Sequence, residues 1–176
     1  YKGKRFTVLS TGIGTDNIDI VMTELDALAN VDFNTREEKP EHRTLNILRI
    51  GTCGAIQPDI PLGSFIFSHI SVGCDGLMNW YEDRDSIALL DFEEAFKKHT
   101  HWDRHLPDPY FVRASDVLIK KFEDCTVKGM TISASGFYGP QGRVVRQGLA
   151  MPDMLEDFES FEFGGYRITN FEMEGS

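Results

Sequence analysis

Two arginines stand in segments whose residue types could do chemistry. Arg49 stands inside an otherwise apolar run, Leu45-Asn46-Ile47-Leu48-Arg49-Ile50, which leads into Gly51-Thr52-Cys53-Gly54. A guanidinium inside an apolar strand must meet an anion or a protein carboxylate, because burying it unpaired costs several kcal/mol. The Thr52 hydroxyl and the close-approach amides of Gly51 and Gly54 would complete a site for phosphate or a ligand carboxylate. Spacing alone leaves both partners open. Arg143 closes Phe137-Tyr138-Gly139-Pro140-Gln141-Gly142-Arg143. Here Phe137 could stack on a planar heterocycle, the Gln141 amide could meet an imide edge, and the Arg143 fork could donate to carbonyl oxygens. The chemistry of this segment fits a plain surface turn equally well. Glu172 and Glu174 sit two apart in an apparent strand, so both point to one side of it.

Other groupings carry less. Gly12-x-Gly14 follows a β-prone run, but Asn17 stands where a dinucleotide-binding loop needs its third glycine, so a tight turn or close approach to a small ligand is expected. His99, His101 and His105 cluster near Trp102 at no common ligand spacing, and no metal site is expected of them. Cys53 has no histidine near it in sequence and reads as a packing residue rather than a nucleophile. With Cys74 and Cys125 it makes an odd number of cysteines without a C-x-x-C pair, which fits reduced thiols.

The elements that must position these groups alternate. Phe6–Ser10 reads as a strand, the Gly12–Asp16 turn follows, and Ile18, Val21, Met22, Leu25, Leu28 and Ala29 mark a helix with one buried face. Asp32–Arg43 is polar and reads as an exposed loop before a second strand, Leu45–Ile50. Further strands are expected at Ser64–Val72, Val127–Ser135 and Tyr166–Glu174, and helices at residues 87–99, 116–122 and Met154–Phe163. Such alternation predicts an α/β sheet layered with helices.

With 176 residues and 41% hydrophobic composition, a single domain over residues 1–176 is expected. There are 28 acidic against 18 basic residues, a net charge of −10, which excludes a broad nucleic-acid or anionic-membrane surface and confines any anion site to a local pocket. Asp153, Glu156, Asp157, Glu159 and Glu162 read as the solvated face of the last predicted helix. No run of 18 apolar residues occurs and the first residues do not resemble a signal peptide, so a cytoplasmic protein is expected. The sequence opens at Tyr1 and enters a strand almost at once, as a portion of a longer chain would.

Together, Ser10-Thr11-Gly12-Ile13-Gly14, Arg49 through Ile56, Phe137 through Arg143 and Asn170-Phe171-Glu172-Met173-Glu174 resemble the nucleoside phosphorylase-I family, in order and over nearly the whole chain. The Gln141-Gly142-Arg143 segment resembles its pyrimidine branch, since purine-specific relatives lack this Gln and Arg. The resemblance implies a three-layer α/β/α fold with a twisted mixed sheet. It also implies reversible phosphorolysis of uridine, or deoxyuridine, to uracil and the sugar 1-phosphate, as in pyrimidine salvage. Inorganic phosphate would be the co-substrate, with no organic cofactor and no metal. Carried onto this sequence, Arg49 and Thr52 would bind phosphate, and Met173 and Glu174 the ribose, with Glu172 an accessory at the sugar side. Gly54, Phe137, Gln141 and Arg143 would hold uracil, and Arg143, Gln141 and Arg49 would carry the catalysis. A homodimer or a trimer of dimers with shared active sites is implied as well. Family members are longer, carrying a G-D-x-x-R phosphate motif ahead of the matched region and further chain after the E-M-E strand. Cys53 stands where Thr or Ser is frequent, and the Asp32–Arg43 loop is longer than in common bacterial members. The alternatives are a purine nucleoside phosphorylase, a water-using nucleosidase of the same fold, and a nucleoside-binding domain without activity.

Overall fold

The computed structural model describes residues 2–175. Its elements run α1 (Thr15–Asn30), β1 (Val31–Asp32), β2 (Glu37–Glu38), β3 (Gly54–Ala55), β4 (Ile66–Gly73), α2 (Leu90–His99), β5 (Tyr110–Arg113), α3 (Asp116–Phe122), β6 (Val127–Ser133), α4 (Met154–Ser160), β7 (Glu162–Phe163) and β8 (Tyr166–Glu172). The main sheet has the order β3-β8-β6-β4-β5, with β7 paired to β8. β4, β6 and β8 are mutually parallel, while β3 and β5 run antiparallel at the edges. This is the mixed α/β sheet that the alternation of elements predicts. No helix among the described residues is long and apolar enough to cross a membrane.

Central position explains the composition of the parallel strands. Met130, Thr131, Ile132 and Ser133 of β6 are buried in succession, as expected of a strand covered on both faces. Ile70, Val72, Met130, Ile132 and Ile168 form the sheet side of the core, against Phe92 and Phe96 of α2 and Met154 and Phe158 of α4. Gly73 lies opposite Tyr110 in the β4–β5 ladder, and a Cβ there would stand 2.0 Å from the tyrosine ring, so only glycine admits that ring across the strand. The Gly164-Gly165 pair, both at positive φ, makes the two-residue turn of a β7–β8 hairpin.

Several expectations are corrected. Phe6–Ser10 and Leu45–Ile50 join no ladder among the described residues, and Val8 and Ile50 are 94% and 87% exposed. Their β-propensity is real, but a strand exists only where a neighbour offers its edge, and next to β8 that edge is taken by the two residues of β3. Helix α1 forms as expected, but its apolar stripe is only partly covered: Ile18, Val21, Leu25 and Ala29 are half-buried, while Met22 and Leu28 are exposed. The Asp32–Arg43 loop contains part of a short hairpin, with Val31 opposite Glu38. The last strand stops at Glu172, so Glu174 lies just past it. Strand β5 was not legible, because Tyr110–Arg113 is too short to show a period.

His69 is an unusual core residue. A register shift between Ser68 and Ile70 lets the consecutive residues His69 and Ile70 both be buried. His69 lies between the rings of Phe67 and Tyr166, and neither ring nitrogen has a hydrogen-bond partner. Burial first, then the charges of Lys128 and Arg113, hold its pKa below the usual 6.5, with Glu123 opposing. The unfolded chain therefore binds more protons than the folded one as pH falls past 6.5. Stability should be full above that pH and decline below it until the folded-state pKa is passed. Urea midpoints at neutral and acid pH should show this loss, and His69→Phe should flatten it; an equal slope in the variant would refute the assignment.

Candidate active site

The fold brings all four sequence motifs to one end of the sheet. In the β6–β8 ladder Ser133 pairs with Glu172, and in the β3–β8 ladder Gly54 pairs with Phe171. The Thr52–Gly54 loop, the exit of β6 toward Phe137–Arg143 and the residues after β8 are therefore neighbours. In parallel sheets, ligands bind at the carboxyl ends of the strands, and these are the carboxyl ends of β6 and β8.

At the centre is Arg49. Its Nη1 is 2.7 Å from Glu172 Oε2 and its Nη2 is 2.5 Å from Glu174 Oε2. The two glutamates grip one guanidinium, although the strand ends at Glu172 and the turn after it, not strand alternation, brings Glu174 there. Of the partners left open by sequence, protein carboxylates are present here, yet a guanidinium has more N–H donors than these two contacts use. Glu174 Oε1 also accepts from the Gly14 amide at 2.8 Å, at the start of α1, where unpaired helix N–H groups favour a negative charge. Gly14 has φ 94°, which a residue with a side chain rarely adopts. The Gly12-x-Gly14 turn thus provides a close backbone approach to a carboxylate.

Gly51 is required by the same group. A Cβ built there would stand 2.8 Å from Arg49 Nη2 and 3.1 Å from its Cζ, so the guanidinium lies against the Gly51 backbone. Because the obstacle is the end of a flexible side chain, Gly51→Ala should barely change the melting temperature while displacing Arg49. A ligand that depends on Arg49 should lose roughly tenfold in affinity, about 1.4 kcal/mol. Calorimetry with inorganic phosphate checks this, and unaltered binding would count against it.

On the other side of Glu172 lies the aromatic segment. Arg143 Cζ sits 4.0 Å over the Phe137 ring, and its Nη1 donates to the Phe137 carbonyl at 2.7 Å and to Gln141 Oε1 at 2.5 Å. Gln141 is buried, and its Nε2 faces the Glu172 carbonyl at 3.5 Å. Phe137 is half exposed, and a Cβ on Gly54 would lie 3.9 Å from Arg143 Nη2, so the Gly54 backbone flanks the guanidinium. A planar ring with carbonyl edges could rest here, with Arg143 as donor. Met173 is half-buried between the glutamates, and Thr52 is exposed beside the Gly51 turn.

Sequence reading missed the support beneath the site. Ser68 Oγ and Thr131 Oγ1 are 2.5 Å apart, and Thr131 and Thr169 both donate to Asn170 Oδ1. Asn170 thereby ties β8 to β6 directly beneath the site, its backbone lying opposite Ala55 of β3. Cys53 stands at the surface, yet desolvation first and Glu172 second push its thiol pKa up, against the Asn170 contact and Arg49. A raised pKa does not suit a nucleophile. The only available signal was the run of small polar residues in strands, which also fits ordinary core satisfaction. His99 is engaged with α4, its Nε2 lying 3.0 Å from Ser160 Oγ.

Comparison with known proteins supplies what geometry does not. A family model described as the phosphorylase superfamily matches residues 1–176. A uridine phosphorylase of Thermococcus kodakarensis is 29% identical over 185 residues, covering 100% of this chain and 52% of that protein. A DeoD-type purine nucleoside phosphorylase of Vibrio vulnificus is 27% identical, covering 79% of this chain and 58% of its own length. The chain thus spans little more than half the length of these curated relatives. Among solved structures, a Trypanosoma brucei nucleoside phosphorylase, described as showing uridine phosphorylase activity, superposes with a TM-score of 0.81 at 28% identity. That match covers 100% of this chain and 65% of the other.

Proposed function

This chain belongs to the phosphorylase superfamily, and from that membership we propose that the protein carrying it is a nucleoside phosphorylase that cleaves uridine. The observation that carries the choice of base is the Phe137–Gln141–Arg143 unit, in which a guanidinium stacks on an aromatic ring beside an amide. Such a unit suits a flat pyrimidine with carbonyl oxygens better than a purine edge. In this reading Arg49 and Thr52 bind phosphate, Met173 and Glu174 hold the ribose, and Gly54, Phe137, Gln141 and Arg143 hold uracil.

The chemistry follows from where charge develops. The C1′–N1 bond of uridine breaks, its electron pair leaves with uracil, and a phosphate oxygen bonds to C1′. The proton of hydrogen phosphate ends on the base, so the products are uracil and ribose 1-phosphate. As the bond lengthens, the sugar becomes oxocarbenium-like and the base anionic, so Arg143 binds the transition state more tightly than the ground state. Arg49 orients the phosphate, and the Glu174 carboxylate, which accepts without needing a proton, fixes the ribose diol. The reading needs no organic cofactor. It includes a homo-oligomer, either a dimer or a trimer of dimers, supported by exposed apolar side chains such as Val8, Ile50, Phe65 and Trp80.

The deciding assay is release of free base from uridine, deoxyuridine and inosine, with and without phosphate. Uracil release that requires phosphate is expected. Release of hypoxanthine alone favours the purine branch, for which the Vibrio relative speaks, and equal release without phosphate favours a hydrolase. Arg143→Ala should slow uridine cleavage by about 10²-fold, the usual scale for one donor to a developing anion. An unchanged rate would remove Arg143 from the base site.

A further inference from the structure

Glu172 is the most heavily engaged side chain in this region, and none of its contacts faces outward. Its side chain is 4% exposed. Oε2 accepts from Arg49 Nη1 at 2.7 Å and from the Glu174 amide at 2.9 Å, and Oε1 accepts from the Gly175 amide at 2.7 Å. The Gly175 amide also reaches Ser133 Oγ at 3.1 Å, so the turn after β8 is pinned to the end of β6. The backbone of Glu172 is used too, its carbonyl accepting from the Ala134 amide and facing the Gln141 side chain. A carboxylate with three donors on its two oxygens has little capacity left for a sugar hydroxyl. Glu174 is less committed, with one amide and one guanidinium contact.

We propose that Glu172 is a positioning residue that acts through Arg49 rather than an accessory ligand of the ribose. It anchors one arm of the guanidinium independently of Glu174, so Glu174 can take sugar hydroxyls without releasing Arg49 from the phosphate side. The turn that carries Met173 and Glu174 is also held by the Gly175 amide on Ser133 Oγ, so it does not depend on that carboxylate alone. This rests on the assignment of Arg49 to phosphate in the proposed function.

The sign of the effect separates three roles. A carboxylate that merely sat near the anion would repel it, and its removal would tighten phosphate binding. A sugar ligand would, on removal, raise the KM for nucleoside and leave phosphate alone. A positioning residue would, on removal, weaken phosphate although a negative charge has been taken away. Glu172→Gln tests this, because its amide cannot accept from Arg49 and from the Glu174 and Gly175 amides together: one side meets an NH2 group.

The experiment measures affinity for inorganic phosphate by calorimetry on wild type, Glu172→Gln, Arg49→Ala and the double variant, with KM for phosphate and for uridine alongside. Glu172→Gln should weaken phosphate by at least about tenfold, change the KM for uridine by less than about threefold, and add nothing in the Arg49→Ala background. If Glu172→Gln does not fold, Glu172→Asp, which keeps the charge but withdraws it from part of the cluster, should give the same loss. Tighter or unchanged phosphate binding, a loss confined to uridine, or an additive double variant would overturn the proposal, as would a wild type that binds no phosphate. A wild type that binds phosphate without cleaving nucleoside would refute the proposed function alone, and calorimetry would still decide the role of Glu172.

Discussion

Arg49→Ala is expected to lower phosphate-dependent cleavage of uridine by about 10³-fold or more in kcat/KM, the scale on which a preorganised charge partner contributes. Two losses combine. The guanidinium proposed to orient phosphate disappears, and Glu172 and Glu174 lose their shared counter-charge. Removing one partner of a fully buried ion pair costs about 3–5 kcal/mol, but the Arg49 side chain is 32% exposed, so screening should reduce the stability cost to roughly 1–2 kcal/mol. The variant should therefore remain folded while losing activity. Arg49→Lys should recover little, because a single ammonium does not reproduce a planar fork that bridges two carboxylates. Steady-state kinetics with phosphate varied, beside a melting curve, checks both parts. A normal KM for phosphate with normal kcat would show that the anion binds elsewhere.

Phe96→Ala should have the largest effect on stability. The Phe96 ring is fully buried, with centroids 5.5 Å from Trp102, 5.4 Å from Phe111, 5.3 Å from Phe158 and 5.1 Å from Phe161. It joins α2 to β5 and to the α4 region, so its removal leaves a cavity lined by rings that cannot all collapse inward. Large-to-small changes of this kind cost about 3–5 kcal/mol, against a total of about 5–15 kcal/mol for a typical domain. A urea titration should show the midpoint fall steeply. Glu94→Ala is the control, because Glu94 is exposed on the same helix, and its change should stay within about 0.5 kcal/mol. Equal shifts in the two variants would mean that the ring cluster does not hold the sheet to its helices.

Much of the central architecture could be read from the sequence because it depends on local periodicity. The helices at Leu90–His99, Asp116–Phe122 and Met154–Ser160 and the strands at Ile66–Gly73, Val127–Ser133 and Tyr166–Glu172 all fall within the ranges expected of them, to within a few residues. Where local pattern and tertiary context part, the pattern misleads. Among the described residues, Phe6–Ser10 and Leu45–Ile50 have strand composition but no ladder, and α1 has an apolar stripe that is only partly covered. Propensity describes what a segment would do beside a suitable edge or face, and it says nothing about whether one is there.

For the site, the sequence by itself determined the kinds of chemistry available: a guanidinium leading into a glycine turn, a second beside an aromatic and an amide, and two carboxylates two residues apart. The order of those motifs also resembles a family to which the match over residues 1–176 assigns the chain. Only the tertiary structure decided which groups meet. The Gly12-x-Gly14 turn caps Glu174 from 160 residues away, and Arg49 is shared by Glu172 and Glu174. Gln141 turns toward Arg143 and the Glu172 carbonyl, and Asn170 takes the Thr131 and Thr169 hydroxyls. These pairings depend on sheet order and register, which bring the ends of β3, β6 and β8 together. Strand order is fixed by the packing of the whole chain, so residues far apart in sequence acquire their partners only when that packing is complete.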